Sequence, residues 1–213
     1  MKLYLSSYFF GNFAEKLIDL ISPNKKVAVI MNAGDIYGDE QRPVYLSKEI
    51  EKFQKYDFIA EELDLRDYFN QSAGLAKKLA EYGAVWVMGG NSFVLRRAMK
   101  YSGFDKIIGP LVQNNSIVYA GFSAGSVVAT KTLKGIELVD DPNLVPPKYN
   151  KEIVWDGLGL VDFSIAPHYQ SQHPESEDIE AVVQYFIEKN IPYKALRDGE
   201  AIIVDDGKVH FLR

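Results

Sequence analysis

The chain is expected to fold as an α/β protein: a single doubly wound, mainly parallel sheet flanked by helices, with an antiparallel hairpin edge at the C-terminus. Three observations predict it. Apolar runs of strand length alternate with segments of helical spacing. The runs are apolar on both faces, as strands covered from two sides must be. After the last long helical segment come short runs separated by Asp198-Gly199 and Asp206-Gly207, dipeptides suited to tight turns between antiparallel strands.

Taken in order, the strand-length runs are KLYLSS from Lys2, KVAVIMNAG from Lys26, DFIAEELDL from Asp57, AVWVMGG from Ala84, SIVYAG from Ser116 and VDFSIAPH from Val161. Helical spacing marks 14–21, 44–56, 72–82, 92–101 and 175–188 between them. The runs YKALRD, EAIIVDD and KVHFLR follow and read as antiparallel hairpins at a sheet edge. The long stretch 137–158 contains DDPNLVPPKYN, whose prolines oppose regular structure; a loop of that length in a compact domain is often functional. With 213 residues and 47% hydrophobic content, 1–213 is expected to form one domain with a sizeable core.

Composition narrows the function. A net charge of -5, with no dense Lys/Arg run, gives no footprint for nucleic acid or an anionic membrane, so the expected partner is a short peptide or small molecule. The absence of cysteine excludes disulfides, a thiolate nucleophile and cysteine metal sites. No metal or cofactor is expected, and with neither a G-x-G-x-x-G nor a P-loop lysine motif nucleotide binding has little support. Without a signal-peptide pattern or a membrane-length apolar stretch, the expected location is cytoplasmic. Dimerisation through an exposed sheet edge stays open.

In open parallel sheets, ligands gather beyond the carboxyl ends of the strands. There the sequence places NAGD, GGNS, GFSAGS and PHYQ. Gly121 to Gly125 fits G-x-S-x-G, a strained strand-to-helix turn that exposes a serine hydroxyl among residues too small to hide it. Ser123 is therefore the candidate nucleophile; the alternative is a glycine-bounded turn whose serine only caps a helix. Such a serine needs a base, and the chain has three histidines. His168 is favoured because it ends an expected strand, over His173 in a loop or at a helix start and His210 in the terminal hairpin. A carboxylate should orient the imidazole, and Asp198, Glu200 and Asp162 are the candidates. The N–H groups of Gly90, in GGNS, and Ala124 could form a two-pronged oxyanion hole. Arg96 and Arg97, on the following helical segment, are expected to face solvent.

Together, VMGGNSFVLRRAM, YAGFSAGSVVA, GLGLVDFSIAPHY and ALRDGEAIIV, in this order, resemble the peptidase E family of serine peptidases, which includes aspartyl dipeptidases and is related to cyanophycinase. The resemblance implies a sheet like that of class I glutamine amidotransferases, with serine in place of cysteine. It assigns the nucleophile to Ser123, the base to His168, the acid to Asp198 and the oxyanion donors to Gly90 and Ala124. Two departures are visible. Asp198 stands where the family has glutamate, which keeps Glu200 as a reserve. The segment after His168, HYQSQHPESEDIEAVV, lacks the arginine with which the aspartyl dipeptidases hold an acidic side chain. The expectation is a serine peptidase of short peptides, dipeptidase-like, without clear Asp-X specificity. Asn91, Asp140 and Asp141 are candidate substrate contacts, the two aspartates for a free α-amino group. The rival functions are an esterase or amidase with the same triad, or a relative that binds a small ligand without catalysis.

Overall fold

Val27, Ala28, Val29 and Ile30 are all fully buried, although neighbouring side chains of a strand point to opposite faces, so the strand that carries them is covered on both sides. The computed structural model describes residues 1–21 and 23–213. It opens with β1 (Lys2–Ser6), α1 (Ala14–Ile21), β2 (Lys26–Ile30), α2 (Arg42–Gln54), β3 (Ile59–Glu62) and α3 (Ala73–Leu79). Next come β4 (Ala84–Val87), α4 (Ser92–Ser102), α5 (Phe104–Gln113), β5 (Val118–Phe122) and the short α6 (Ala124–Val127). The chain closes with β6 (Ser164–Ala166), α7 (Ser176–Glu188), β7 (Tyr193–Ala195), β8 (Ala201–Asp205) and β9 (Lys208–Leu212).

Seven strands form the main sheet in the order β3-β2-β4-β5-β1-β8-β9. The first five are mutually parallel, while β8 runs antiparallel to both β1 and β9. Alternation along each strand divides the core. Leu3, Leu5, Ala28, Ile30, Val85 and Val87 pack on one face with residues of α3, α4, α5 and α7. Tyr4, Val27, Val29, Ala84 and Trp86 pack on the other with α1 and α2. The expected doubly wound sheet and its C-terminal antiparallel edge are therefore present.

Three details differ from expectation. The strand within VDFSIAPH does not join the main sheet: β6 pairs in parallel with β7 in a separate two-stranded sheet, Ser164 opposite Tyr193 and Ala166 opposite Ala195. YKALRD is thus not part of an antiparallel hairpin. Helix α5 lacked a clear mark in the sequence because Gly109 and Pro110 fall inside it. Finally, Arg96 and Arg97 are buried rather than solvent-facing. Arg97 donates to the carbonyls of Pro142, Leu144 and Glu152 at 2.6, 3.1 and 2.9 Å. Arg96 donates to the Asp156 carbonyl at 2.8 Å and pairs with Asp105 at 3.3 Å. The forked guanidinium, with five donors, satisfies loop carbonyls that no regular structure would pair. The long irregular loop is thereby pinned against α4.

Candidate active site

Ser123 stands where β5 ends, and β5 runs between β4 and β1. Its backbone, at φ 49° and ψ -120°, is one that a non-glycine residue adopts only under constraint, at a cost of about 1–3 kcal/mol. The constraint is visible. Ser123 N–H donates to the Ser7 carbonyl at 3.1 Å, Ser126 Oγ donates to the Ser6 carbonyl at 2.8 Å, and Tyr119 donates its hydroxyl to the Gly125 carbonyl at 2.7 Å. A Cβ on Gly125 would lie 2.1 Å from the Val87 carbonyl oxygen, so only glycine lets α6 approach β4 this closely. Gly90, at φ 131°, takes the neighbouring turn in a backbone region closed to side chains.

The His168 side chain is buried, and its Nδ1 lies 2.7 Å from Asp198 Oδ1. An ionised carboxylate only accepts, so Nδ1 carries the proton in the neutral ring and the lone pair is left at Nε2. Ser7, fully buried just past β1, ties this pair down: its Oγ lies 2.8 Å from Asp198 Oδ1 and accepts the His168 N–H at 2.8 Å. Ser7 therefore touches Ser123 through its carbonyl and both His168 and Asp198 through its hydroxyl. His173 stacks on His168, with ring centroids 3.7 Å apart and planes 9° from parallel, and Tyr8 sets its ring edge-on to both. Burial lowers the His168 pKa below the usual histidine value; the Asp198 hydrogen bond and charge raise it, and the charge of His173 lowers it again.

Ser123, Gly90 and Ala124 line one narrow cleft, with Asp140 and Glu175 among its other walls. Among the described residues, the N–H groups of Gly90 and Ala124 have no protein acceptor. Asp140 Oδ2 accepts the Ser92 N–H at 2.8 Å, at the start of α4. Burial pushes the Asp140 carboxyl up to about 6, against the hydrogen bond from Ser92, and the charge of Glu175 adds to the rise. Burial also raises Glu175, helped by Asp178 and Asp198.

The other candidates lie differently. Asn91 spends its side chain locally, accepting the Val94 N–H at 2.9 Å and donating to the Asp141 carbonyl at 3.1 Å. Asp141 is exposed and bonds Asn143. Glu200 accepts the Arg197 N–H at 2.9 Å, within its own turn, while Asp162 and His210 are exposed. His168, His173 and Glu175 bring three potential metal donors within 4.8 Å of one another. The stacked imidazoles, however, hold their in-plane lone pairs parallel rather than convergent on one ion.

The model of the family described as Peptidase family S51 matches residues 7–212. The chain belongs to peptidase family S51. It is a serine-type peptidase. A Streptomyces coelicolor protein named "Peptidase E" is 34% identical over 67% of this chain and 57% of its own length. A Drosophila melanogaster protein named "Probable alpha-aspartyl dipeptidase" is 32% identical over 63% of this chain and 55% of its own. A crystal structure from Listeria monocytogenes EGD-e, named "Putative Peptidase E Protein", superposes with a TM-score of 0.80 at 25% identity, covering 100% of this chain and 98% of that one. No described helix of this family S51 chain is long and apolar enough to cross a membrane.

Sequence reasoning passed over Ser7, His173 as a ring partner of His168, and Glu175 as a wall of the cleft. The Ser6-Ser7 pair closing an apolar strand was the one available signal for the first. Nothing in the sequence marks the other two, because the turn before α7 must fold back before they meet His168.

Proposed function

We propose that the chain hydrolyses short peptides, dipeptides among them, with Ser123 as nucleophile, His168 as base and Asp198 as the acid that orients it. The observation that carries this reading is Ser7, which holds the Ser123 backbone and the His168–Asp198 pair at once. Ser123 Oγ attacks the scissile carbonyl while His168 Nε2 takes its proton, and Asp198 stabilises the imidazolium through Nδ1–H. The N–H groups of Gly90 and Ala124 receive the developing oxyanion. The imidazolium then protonates the leaving amine, an acyl-enzyme forms on Ser123, and His168 activates the water that releases it.

Asp140 supplies the partner for a free α-amino group, since its carboxylate borders the same cleft as Ser123 and has no cation within salt-bridge distance among the described residues. An ammonium beside it would favour the ionised form. Asp141, turned to solvent, has no such role.

The test is hydrolysis of a dipeptide panel by the wild type and by Ser123→Ala, together with fluorophosphonate labelling. Wild-type cleavage and labelling should both vanish in Ser123→Ala. Cleavage that survives in the variant would remove Ser123 from the mechanism. Ester cleavage without any peptide cleavage would favour an esterase.

A further inference from the structure

The cleft beside Ser123 is not evenly polar. Val127 rises from α6, Ile136 and Val139 come from the turn that opens the long loop, Pro167 precedes His168, and Ile179 lies on α7. These five side chains form an apolar wall built from separate parts of the chain. The charged groups that border the cleft are Asp140 and Glu175, and among the described residues no lysine or arginine lines it. Arg96 and Arg97, the basic residues that follow the GGNS turn, are consumed by the carbonyls of Asp156, Pro142, Leu144 and Glu152.

A side chain entering this cleft leaves water for an apolar surface, which favours apolar groups in proportion to the area they bury. A carboxylate entering it would lose its hydration, meet no cation, and face two carboxyl groups of its own sign. Resting on the peptidase reading above, we propose that the residue whose carbonyl Ser123 attacks carries an uncharged apolar side chain, and that peptides beginning with aspartate are poor substrates. The protein thus differs in substrate class from the relative named as an alpha-aspartyl dipeptidase.

The experiment compares kcat/KM for Leu-Phe, Ala-Phe, Lys-Phe and Asp-Phe, following the release of phenylalanine, in the wild type, Ser123→Ala and Asp140→Asn. Leu-Phe should exceed Asp-Phe by about tenfold or more in the wild type. Asp140→Asn should slow both, because both lose the partner of their α-amino group, yet it should narrow their ratio, because one repelling charge is gone. Asp-Phe cleaved as well as Leu-Phe, by the wild type and not by Ser123→Ala, would overturn the side-chain preference and leave the peptidase standing. A ratio unmoved by Asp140→Asn would overturn the electrostatic part of the argument. Failure to cleave any member would overturn the peptidase reading and the preference together.

Discussion

The main sheet and the small β6–β7 sheet contribute to the site in different ways. β5, flanked by β4 and β1, presents Ser123 from the middle of the main sheet, in a turn braced by hydrogen bonds to β1 and to its own strand. His168 and Asp198 come from chain that follows β6 and β7, a three-residue pair of strands apart from that sheet. The position of the proposed nucleophile is thus a property of the fold at large, whereas that of the proposed base and acid depends on a few local contacts. Among the described residues, Ser7 is the one whose polar atoms reach all three. Substitutions on the small-sheet side should therefore act through alignment, leaving the main sheet intact.

The largest effect expected on that side is from Asp198→Asn. The amide can donate where the carboxylate only accepts, so it stabilises the His168 tautomer with its proton on Nε2, the wrong one for a base. The loss in kcat should be on the order of 10³–10⁴-fold, with little change in melting temperature. Glu200→Gln is the contrast: its side chain serves the Arg197 N–H, which a glutamine oxygen can still accept, and kcat should stay near wild type. If the two results were exchanged, Glu200 would be the acid.

Ser7→Ala should come next. Its hydroxyl makes a hydrogen bond with a carboxylate, and such bonds are worth about 1.5–3 kcal/mol, roughly ten- to a hundredfold in rate if the contact serves only alignment. The buried His168 N–H also loses its acceptor, so the melting temperature should fall as well. The decisive reading is the split: kcat and the rate of fluorophosphonate labelling should drop while KM for a dipeptide holds. A change confined to KM would detach Ser7 from the chemistry.

The same contrast between the sheets explains what could be read in advance. Strands such as VAVI and AVWV are continuous apolar runs whose burial on both faces follows from composition, and the glycines of GFSAG mark a place where strand, turn and helix must crowd together. The strand-to-helix turn at Ser123 was legible for that reason. β6 was legible as a strand but not as a member of a second sheet, since three buried residues carry no record of the partner they pair with. Arg96 and Arg97 were misplaced because charge on a helix normally marks the solvent side, and only the folded loop shows the carbonyls that offset their burial. The stacking of His173 on His168 likewise depends on the path of a turn, which local sequence does not fix.

That stacking supports the smallest prediction and the finest test of the comparison. His168 must be neutral to accept the Ser123 proton, so activity should fall on the acid side as the ring takes up a proton. Burial holds its pKa down, Asp198 opposes this, and the charge of His173 lowers it further. His173→Ala removes that repulsion and opens one face of the ring to water; both changes favour the imidazolium, so the acid limb should move to higher pH. His173→Phe keeps a flat ring in place and isolates the charge effect, and it should give a smaller shift in the same direction. The pH profile of fluorophosphonate labelling is the suitable readout, because the reagent carries no α-amino group and bypasses Asp140, whose own titration lies at about 6. A limb that moved to lower pH in His173→Ala would show that the stack stabilises the protonated ring. The small sheet would then be setting the charge of the base as well as its position.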